Sequence, residues 1–433
     1  MKKYILLLSY TLLSSAVIAQ SKGLPELIQG ILQHSPALKG QRNLIKMGLV
    51  KTQIQESYGK PVIGAEIGVT RIDPVAKASF NFGGANSTLQ FQPNMNYNSQ
   101  FVANHVLYDW GRNAMAIEKT RLETQLSQAQ IEQQEFQLGF QIANLYQQIV
   151  FNKKAIQVQK SQLKRIESNF QIIIKQLALG EAIEYDKISQ QVKIANQESK
   201  ILESENQVAR MLDYLSTLLG GNAESYLVEN PQIWQAQTAK PIESFTNPEI
   251  TQIKAQEEIV NKSIELAKSE NTPTLAGLAT LGLKNGYVPR INGETPAFAD
   301  DFKVNSVLGL KLSIPIYSGK RGSYQTELAT IQKERVAFQL EDAREKLGTE
   351  WRQAQLNHQN YVKKAATQKE VVAQAQYALD LANTRFKQGL IRRIELDQAE
   401  SILEESQLMQ AQFDYQVNLQ QLELYRIQGI KIW

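Results

Sequence analysis

The chain has 433 residues, with 47 basic and 43 acidic side chains for a net charge of +4, no cysteine and 3 histidines. This near balance gives no electrostatic reason to expect nucleic acid as a partner. The absence of cysteine excludes a disulfide scaffold, a thiolate metal site, a cysteine nucleophile and lipidation at an N-terminal cysteine.

Met1-Lys2-Lys3 is a short basic region, followed by an apolar stretch over 4–17 and then by Val17-Ile18-Ala19, with small residues where a signal peptidase needs them. The pattern predicts residues 1–19 as a secretory signal peptide cut after Ala19, because the apolar run is too short to span a bilayer. No later stretch approaches about 20 apolar residues, so no transmembrane helix is expected in the mature chain. If the protein holds to a membrane, another apolar surface must do it.

Leu24, Leu27, Ile28, Ile31 and Leu32 form a helical stripe, interrupted at Pro36 and resumed to about Tyr58. Pro61 then introduces 62–69, where Ile63, Ala65, Ile67 and Val69 alternate onto one strand face. A polar loop is expected over 81–98 and a second strand over 100–108, closing a β-hairpin at 62–108. No proline lies between Pro93 and Pro231 or after Pro315, so both tracts are free to form long helices. The first covers 112–179, with a coiled-coil seam through Leu122, Leu126, Ala129, Gln133, Phe136, Phe140, Ala143, Gln147 and Val150. Gly180 marks a hairpin tip, and a shorter helix covers 181–219. Residues 222–246 read as a linker between the two halves of the chain.

The remainder repeats this plan. A helix is expected over 248–270, then a strand with Leu275, Gly277, Ala279, Leu281 and Leu283 on one face. A loop holds Gly286, Pro289, Gly293 and Pro296. The last strand places Val304, Ser306, Leu308, Leu310, Leu312, Ile314 and Ile316 on one face, giving a second hairpin at 274–317. Long helices follow over 321–388 and 390–428, with Gly389 at their tip. Gly139, Gly180 and Gly220 recur as Gly348, Gly389 and Gly429, each 209 positions later, and Tyr108 recurs as Tyr317 at the same offset. Ser35-Pro36 and Pro61 recur as Asn247-Pro248 and Pro273, at an offset of 212. Six anchors in register read as a duplication: a first repeat over 20–221 and a second over 247–433. Gly139 and Gly348 read as sites of close helix packing or a gentle bend.

Strands of this length suit a tilted bilayer crossing, yet four strands cannot close a barrel and open edges are not tolerated in lipid. Hairpins that enter a membrane must therefore share a barrel with other chains. The helices are polar around most of their circumference, as in a wall with water on both sides.

The duplicated helix–hairpin–helix plan resembles the TolC family of outer-membrane efflux proteins. The resemblance rests on the strand-exit motifs Tyr108-Asp109-Trp110-Gly111-Arg112 and Tyr317-Ser318-Gly319-Lys320-Arg321. It rests also on each tip glycine being followed six residues later by an acid, Gly180 by Asp186 and Gly389 by Glu395. It covers essentially the whole mature chain. It implies a mainly α fold with β, in which duplicated coiled-coil hairpins and two β-hairpins form a trimeric 12-stranded β-barrel on an α-helical barrel. It implies a homotrimer in the outer membrane that extends into the periplasm. That trimer meets a periplasmic adaptor and an inner-membrane pump of RND, ABC or MFS type, passes substrates passively and needs no cofactor. It also places Asp186, Arg392, Arg393 and Glu395 near a periplasmic gate, where Asp186 is expected to pair with Arg392 or Arg393. The sequence departs from the family pattern at Phe386, which has no hydroxyl, and at Gln398, beside Asp397, where a gate acid often stands.

An enzyme is the weakest reading. His34, His105 and His358 do not cluster, and no phosphate-binding glycine loop or nucleophile elbow occurs. The stronger alternative is a periplasmic coiled-coil structural or adaptor protein without a pore, although an adaptor has one helical hairpin and this chain has two, each tied to a β-hairpin.

Overall fold

The computed structural model describes residues 23–228, 246–287, 289–292 and 302–433. The signal segment, most of 222–246 and the loop carrying Gly293 and Pro296 lie outside the described residues. In chain order the elements are α1 (Leu24–His34), α2 (Pro36–Ser57), β1 (Val62–Arg71), β2 (Lys77–Phe82), β3 (Ala85–Gln90), β4 (Met95–Tyr108), α3 (Arg112–Ala178) and α4 (Glu184–Leu219). Then come α5 (Pro248–Lys268), β5 (Thr274–Lys284), β6 (Arg290–Ile291), β7 (Lys303–Ser313), α6 (Arg321–Lys387) and α7 (Arg393–Gln428). The contacts divide the chain into two units. One comprises Gln41–Gln130 and Glu249–Ala343; the other comprises the chain up to Gly40, Ile131–Pro248 and Arg344–Trp433.

The first unit holds the strands. Four of them form an antiparallel sheet in the order β1-β4-β5-β7. The register carries the repeat. Val62 pairs with Asn104 and Thr274 with Ser313, so adding 212 to the β1 partner and 209 to the β4 partner converts one hairpin into the other. These are the offsets of the proline and glycine anchors.

Residues directly opposite in an antiparallel sheet share a face. Ile67, Ser99, Leu283 and Val304 therefore form one row, Ala65, Phe101, Leu281 and Ser306 the next, and Ile63, Ala103, Ala279 and Leu308 the third. This face is apolar and open to its surroundings, with Ile67 84% and Leu308 89% exposed. The opposite face carries rows such as Glu66, Gln100, Gly282 and Asn305, or Gly68, Asn98, Lys284 and Lys303.

The polar stretch over 81–98 is not only a loop. β2 and β3 pair across Gly83-Gly84, whose φ values of 64° and 89° suit a two-residue hairpin turn, and β6 joins β3 to make a three-stranded sheet. β4 also begins at Met95, five residues before the expected start, because its outer end continues to pair with β1 up to Arg71.

The second unit is helical. Its main core joins Leu27, Ile28 and Ile31 of α1 to Phe136, Phe140, Ala143, Tyr146 and Ile149 of α3, to Leu215 of α4 and to Leu422 and Tyr425 of α7. Five positions of the expected α3 seam are buried: Ala129, Phe136, Phe140, Ala143 and Gln147. Gly139 is required there, since a Cβ would sit 2.4 Å from the Trp433 ring. Elsewhere amide hydrogen bonds add to smaller apolar contacts between the helices. Gln197 Nε2 donates to the Gln159 carbonyl at 3.2 Å, and Gln368 Nε2 donates to the Ser406 carbonyl at 3.0 Å. These are the same two positions, 209 residues apart, bonded in both helical hairpins with the donor exchanged. Tyr146 donates to the Tyr226 carbonyl at 3.3 Å and accepts from Val228 N–H at 3.0 Å, which anchors the start of the 222–246 segment.

Candidate functional site: the hairpin tips and the strand-to-helix junctions

In the helical unit, α3 and α6 end alike. Gly180 and Gly389 take φ of 76° and 72°, a left-handed conformation open to glycine without a Cβ penalty. Gly180 N–H bonds the Leu177 carbonyl and Glu181 N–H the Gln176 carbonyl; Gly389 N–H bonds Phe386 and Leu390 N–H bonds Arg385. Both tips thus satisfy the last carbonyls of a long helix by the same pair of bonds. The following helices start at Glu184 and Arg393, three residues later than expected, because 181–183 and 390–392 complete the turns.

The charged residues at the tips pair differently from the sequence expectation. Asp186 does not meet Arg392 or Arg393 within the protomer: its carboxylate accepts from Ile183 N–H at 3.2 Å and caps its own helix. The first-turn amides of a helix lack internal partners and favour a nearby anion, so an aspartate in that turn finds its donor locally. Arg392 pairs with Glu395 at 3.4 Å in an exposed position, where solvent screens the interaction.

Arg393 pairs with Asp397 at 3.0 Å and lies 5.5 Å from the centre of the Phe386 ring. Lys193 of α4 pairs with the other oxygen of Asp397, so one carboxylate joins the two hairpins. One helical turn further, Glu400 is 4% exposed and accepts from Asn169 of α3 at 2.7 Å. Burial pushes the Glu400 carboxyl above the usual range, and Asp397 pushes the same way; Asn169, Arg393 and Arg165 oppose them. Gln197 of α4 donates to Glu404 at 2.9 Å. Asp397, Glu400 and Glu404 therefore form a polar stripe of α7 facing α3 and α4. Sequence reasoning noted Asp397 but passed over Glu400, whose i,i+4 neighbours look like those of any solvated carboxylate.

In the strand-bearing unit the two strand-exit motifs fold alike. Trp110 and Gly111 have φ of 54° and 82°, and their counterparts Gly319 and Lys320 have φ of 64° and 61°. Two successive left-handed residues turn strand into helix in each repeat, with glycine at the first place in one and the second place in the other. Asp109 accepts from Gly111 N–H at 3.1 Å and Asn113 N–H at 2.6 Å, capping α3. Tyr108 packs edge-on against Trp110, with ring centres 4.8 Å apart, while Tyr317 stands exposed. The motif arginines converge: Arg112 and Arg321 each reach one oxygen of Glu270, both at 2.6 Å. A cavity of about 730 Å3 opens beside this triad, lined among others by Tyr58, Tyr108, Lys119 and Gln325.

Among the described residues, no helix is long and apolar enough to cross a membrane, and no group of three or more His, Asp or Glu side chains is placed to hold a metal ion. A sheet with a mostly apolar and a mostly polar face, followed in each repeat by long helices with polar surfaces, is the make-up of an outer-membrane channel protein. The model of outer membrane efflux proteins matches residues 27–221 and 245–429, and the chain belongs to that family. It serves as an outer-membrane exit duct, not as a poreless coiled-coil scaffold. Among curated proteins no relative matches. The fold is that of several solved channels. That of CusC is 16% identical and covers 95% of this chain and 93% of that one, with a TM-score of 0.75. VceC from Vibrio cholerae is 17% identical over 95% and 97%, with a TM-score of 0.73. OprN is 16% identical over 94% and 90%, with a TM-score of 0.76.

Glu270→Ala removes the carboxylate shared by two half-exposed arginines. It should lower stability to denaturant by about 1–2 kcal/mol, and an unchanged midpoint would show that the triad contributes nothing. For Glu400 the folded pKa is raised, so the folded tip keeps its proton to higher pH than the unfolded chain does. Its contribution is full below the ordinary carboxylate range and is lost as pH rises through the folded pKa. Glu400→Gln keeps a neutral acceptor for Asn169. Its thermal midpoint should exceed that of the parent at about pH 8 and converge with it in acid; a gap that widens in acid would contradict this.

Proposed function

We propose that three copies of this chain assemble a 12-stranded β-barrel in the outer membrane, continued into the periplasm by an α-helical tunnel, after a signal peptide is removed behind Ala19. The observation that carries this reading is the four-stranded sheet, apolar on one face and polar on the other, with β1 and β7 left as its outer strands. Lipid cannot satisfy open strand edges, and neighbouring copies can. Apolar helix stripes flank both edges. α2 leads into β1 and exposes Met47, Val50 and Ile54, while α6 follows β7 and exposes Leu328, Ile331 and Phe338. The chain reads as two repeats, 20–221 and 247–433, joined at 222–246 by a linker around the tube's equator.

The hairpin tips are the periplasmic gate and the docking end for an adaptor that links to an inner-membrane pump. They expose Leu179, Ile183 and Tyr185 at one tip and Leu390 and Ile394 at the other, as an apolar docking end requires. Gly180 and Gly389 form the turns, Asp186, Arg392 and Glu395 cap and charge them, and Arg393 works through Asp397. Asp397 holds the tip closed by gripping Lys193 and Arg393 together.

In planar bilayers the purified protein should conduct ions, and Asp397→Asn should raise its conductance, because a neutral amide no longer draws two cations from different hairpins together. A variant with the parent's conductance would remove Asp397 from the gate.

A further inference from the structure

The protomer already contains one joint between repeats: β4, the exit strand of the first hairpin, pairs with β5, the entry strand of the second. The outer strands are the same two kinds in the opposite arrangement. β7 is the exit strand of the second hairpin and β1 the entry strand of the first. The hairpin registers give the conversion between the repeats, 209 positions for exit strands and 212 for entry strands. Carrying the β4–β5 register through that conversion fixes how β7 meets β1 of another copy. Ala103 opposite Ala279 becomes Leu312 opposite Ile67, and Phe101 opposite Leu281 becomes Leu310 opposite Val69. On the polar face, Asn104 opposite Leu278 becomes Ser313 opposite Glu66, and Val102 opposite Thr280 becomes Lys311 opposite Gly68.

We propose that β7 of one copy pairs antiparallel with β1 of the next in this register, with Leu312 facing Ile67 and Ser313 facing Glu66. The proposal rests on the shared-barrel reading above and adds the position of each residue at the joint.

Three independent features agree with it. First, a shift of one residue would send every side chain to the other face, and this register keeps Leu310, Leu312, Ile67 and Val69 together on the apolar side. Second, it brings Lys311 into diagonal reach of Glu66, an opposite charge across the joint on the polar side. Third, the β4–β5 ladder becomes irregular after Val106, and the residue matching Val106, just past the end of β7, is Pro315, which has no amide hydrogen to give to a ladder. The same conversion accounts for the double load on Glu270. Arg112 reaches across the internal joint to Glu270, whose counterpart in the next copy is Tyr58; Arg321 has no carboxylate there and turns to the Glu270 of its own repeat.

The chain has no cysteine, so introduced pairs report without background. Facing residues on antiparallel strands have Cα atoms about 4.5–5.5 Å apart, within disulfide range, whereas a shift of two residues places them beyond it. Two in-register double variants, Leu312→Cys with Ile67→Cys and Ser313→Cys with Glu66→Cys, sample both hydrogen-bonding classes of pair. Oxidised in outer membranes, at least one should shift the monomer band to a covalent trimer on a non-reducing denaturing gel. The displaced pairs, Leu312→Cys with Ala65→Cys and Leu312→Cys with Val69→Cys, should stay monomeric on that gel. Cross-linking of a displaced pair alone overturns the register and keeps the shared barrel. Absence of any cross-link in a protein that extracts as a trimer overturns the register too. Absence of cross-links in a protein that extracts as a monomer overturns the barrel reading with it.

Discussion

A β-sheet whose outer strands have free edges must have those backbone amides and carbonyls satisfied by something. In water the solvent does this. In hydrocarbon nothing does, and each group left bare costs several kcal/mol. In this chain β1 and β7 stand at the two ends of the four-stranded sheet, and one face between them is mostly leucine, isoleucine, valine and alanine, with exposed residues such as Ile67 and Leu308. The apolar face calls for lipid, and lipid makes the free edges intolerable. In the proposed assembly, closure with strands of other copies meets both demands. Without it the long helices would be an ordinary coiled coil.

The helical unit follows a different rule. Its apolar core is concentrated around Phe140, Tyr146, Ile31 and Tyr425, with a smaller cluster of Leu379, Leu396 and Leu403 behind the second tip. Side-chain amides also join the helices to carboxylates, as Gln197 on Glu404 and Asn169 on Glu400. Amide contacts of this kind hold helices in register while leaving the rest of their surface polar, which suits a wall wetted on both sides. Asp397 has to serve both Lys193 and Arg393, so losing one carboxylate releases two contacts.

Much of this was legible in the sequence because it depends on local chemistry. Proline-free tracts gave the long helices, and alternating residues gave β1, β5 and β7. The offsets of 209 and 212 between glycines and prolines reappear as the register of both hairpins. What the sequence hid depends on pairing at a distance. The β2–β3 hairpin lay in a stretch read by its polar composition, although Gly83-Gly84 between alternating residues was a turn signal. Glu270 looks like any helix-end acid until two arginines 209 residues apart arrive at it. Glu400 is distinguished only by the burial that packing imposes. Within one protomer Asp186 caps its own helix, a contact set by local backbone amides that charge and height along the tip do not reveal.

In the proposed assembly this sheet is part of a barrel built by several copies. The most direct measurement is the molar mass of the protein extracted from outer membranes, corrected for bound detergent. Three chains per particle, and loss of solubility when detergent is removed, are expected. A monomer that stays in solution without detergent would contradict it, because the apolar face and the free edges of β1 and β7 would then be tolerated in water.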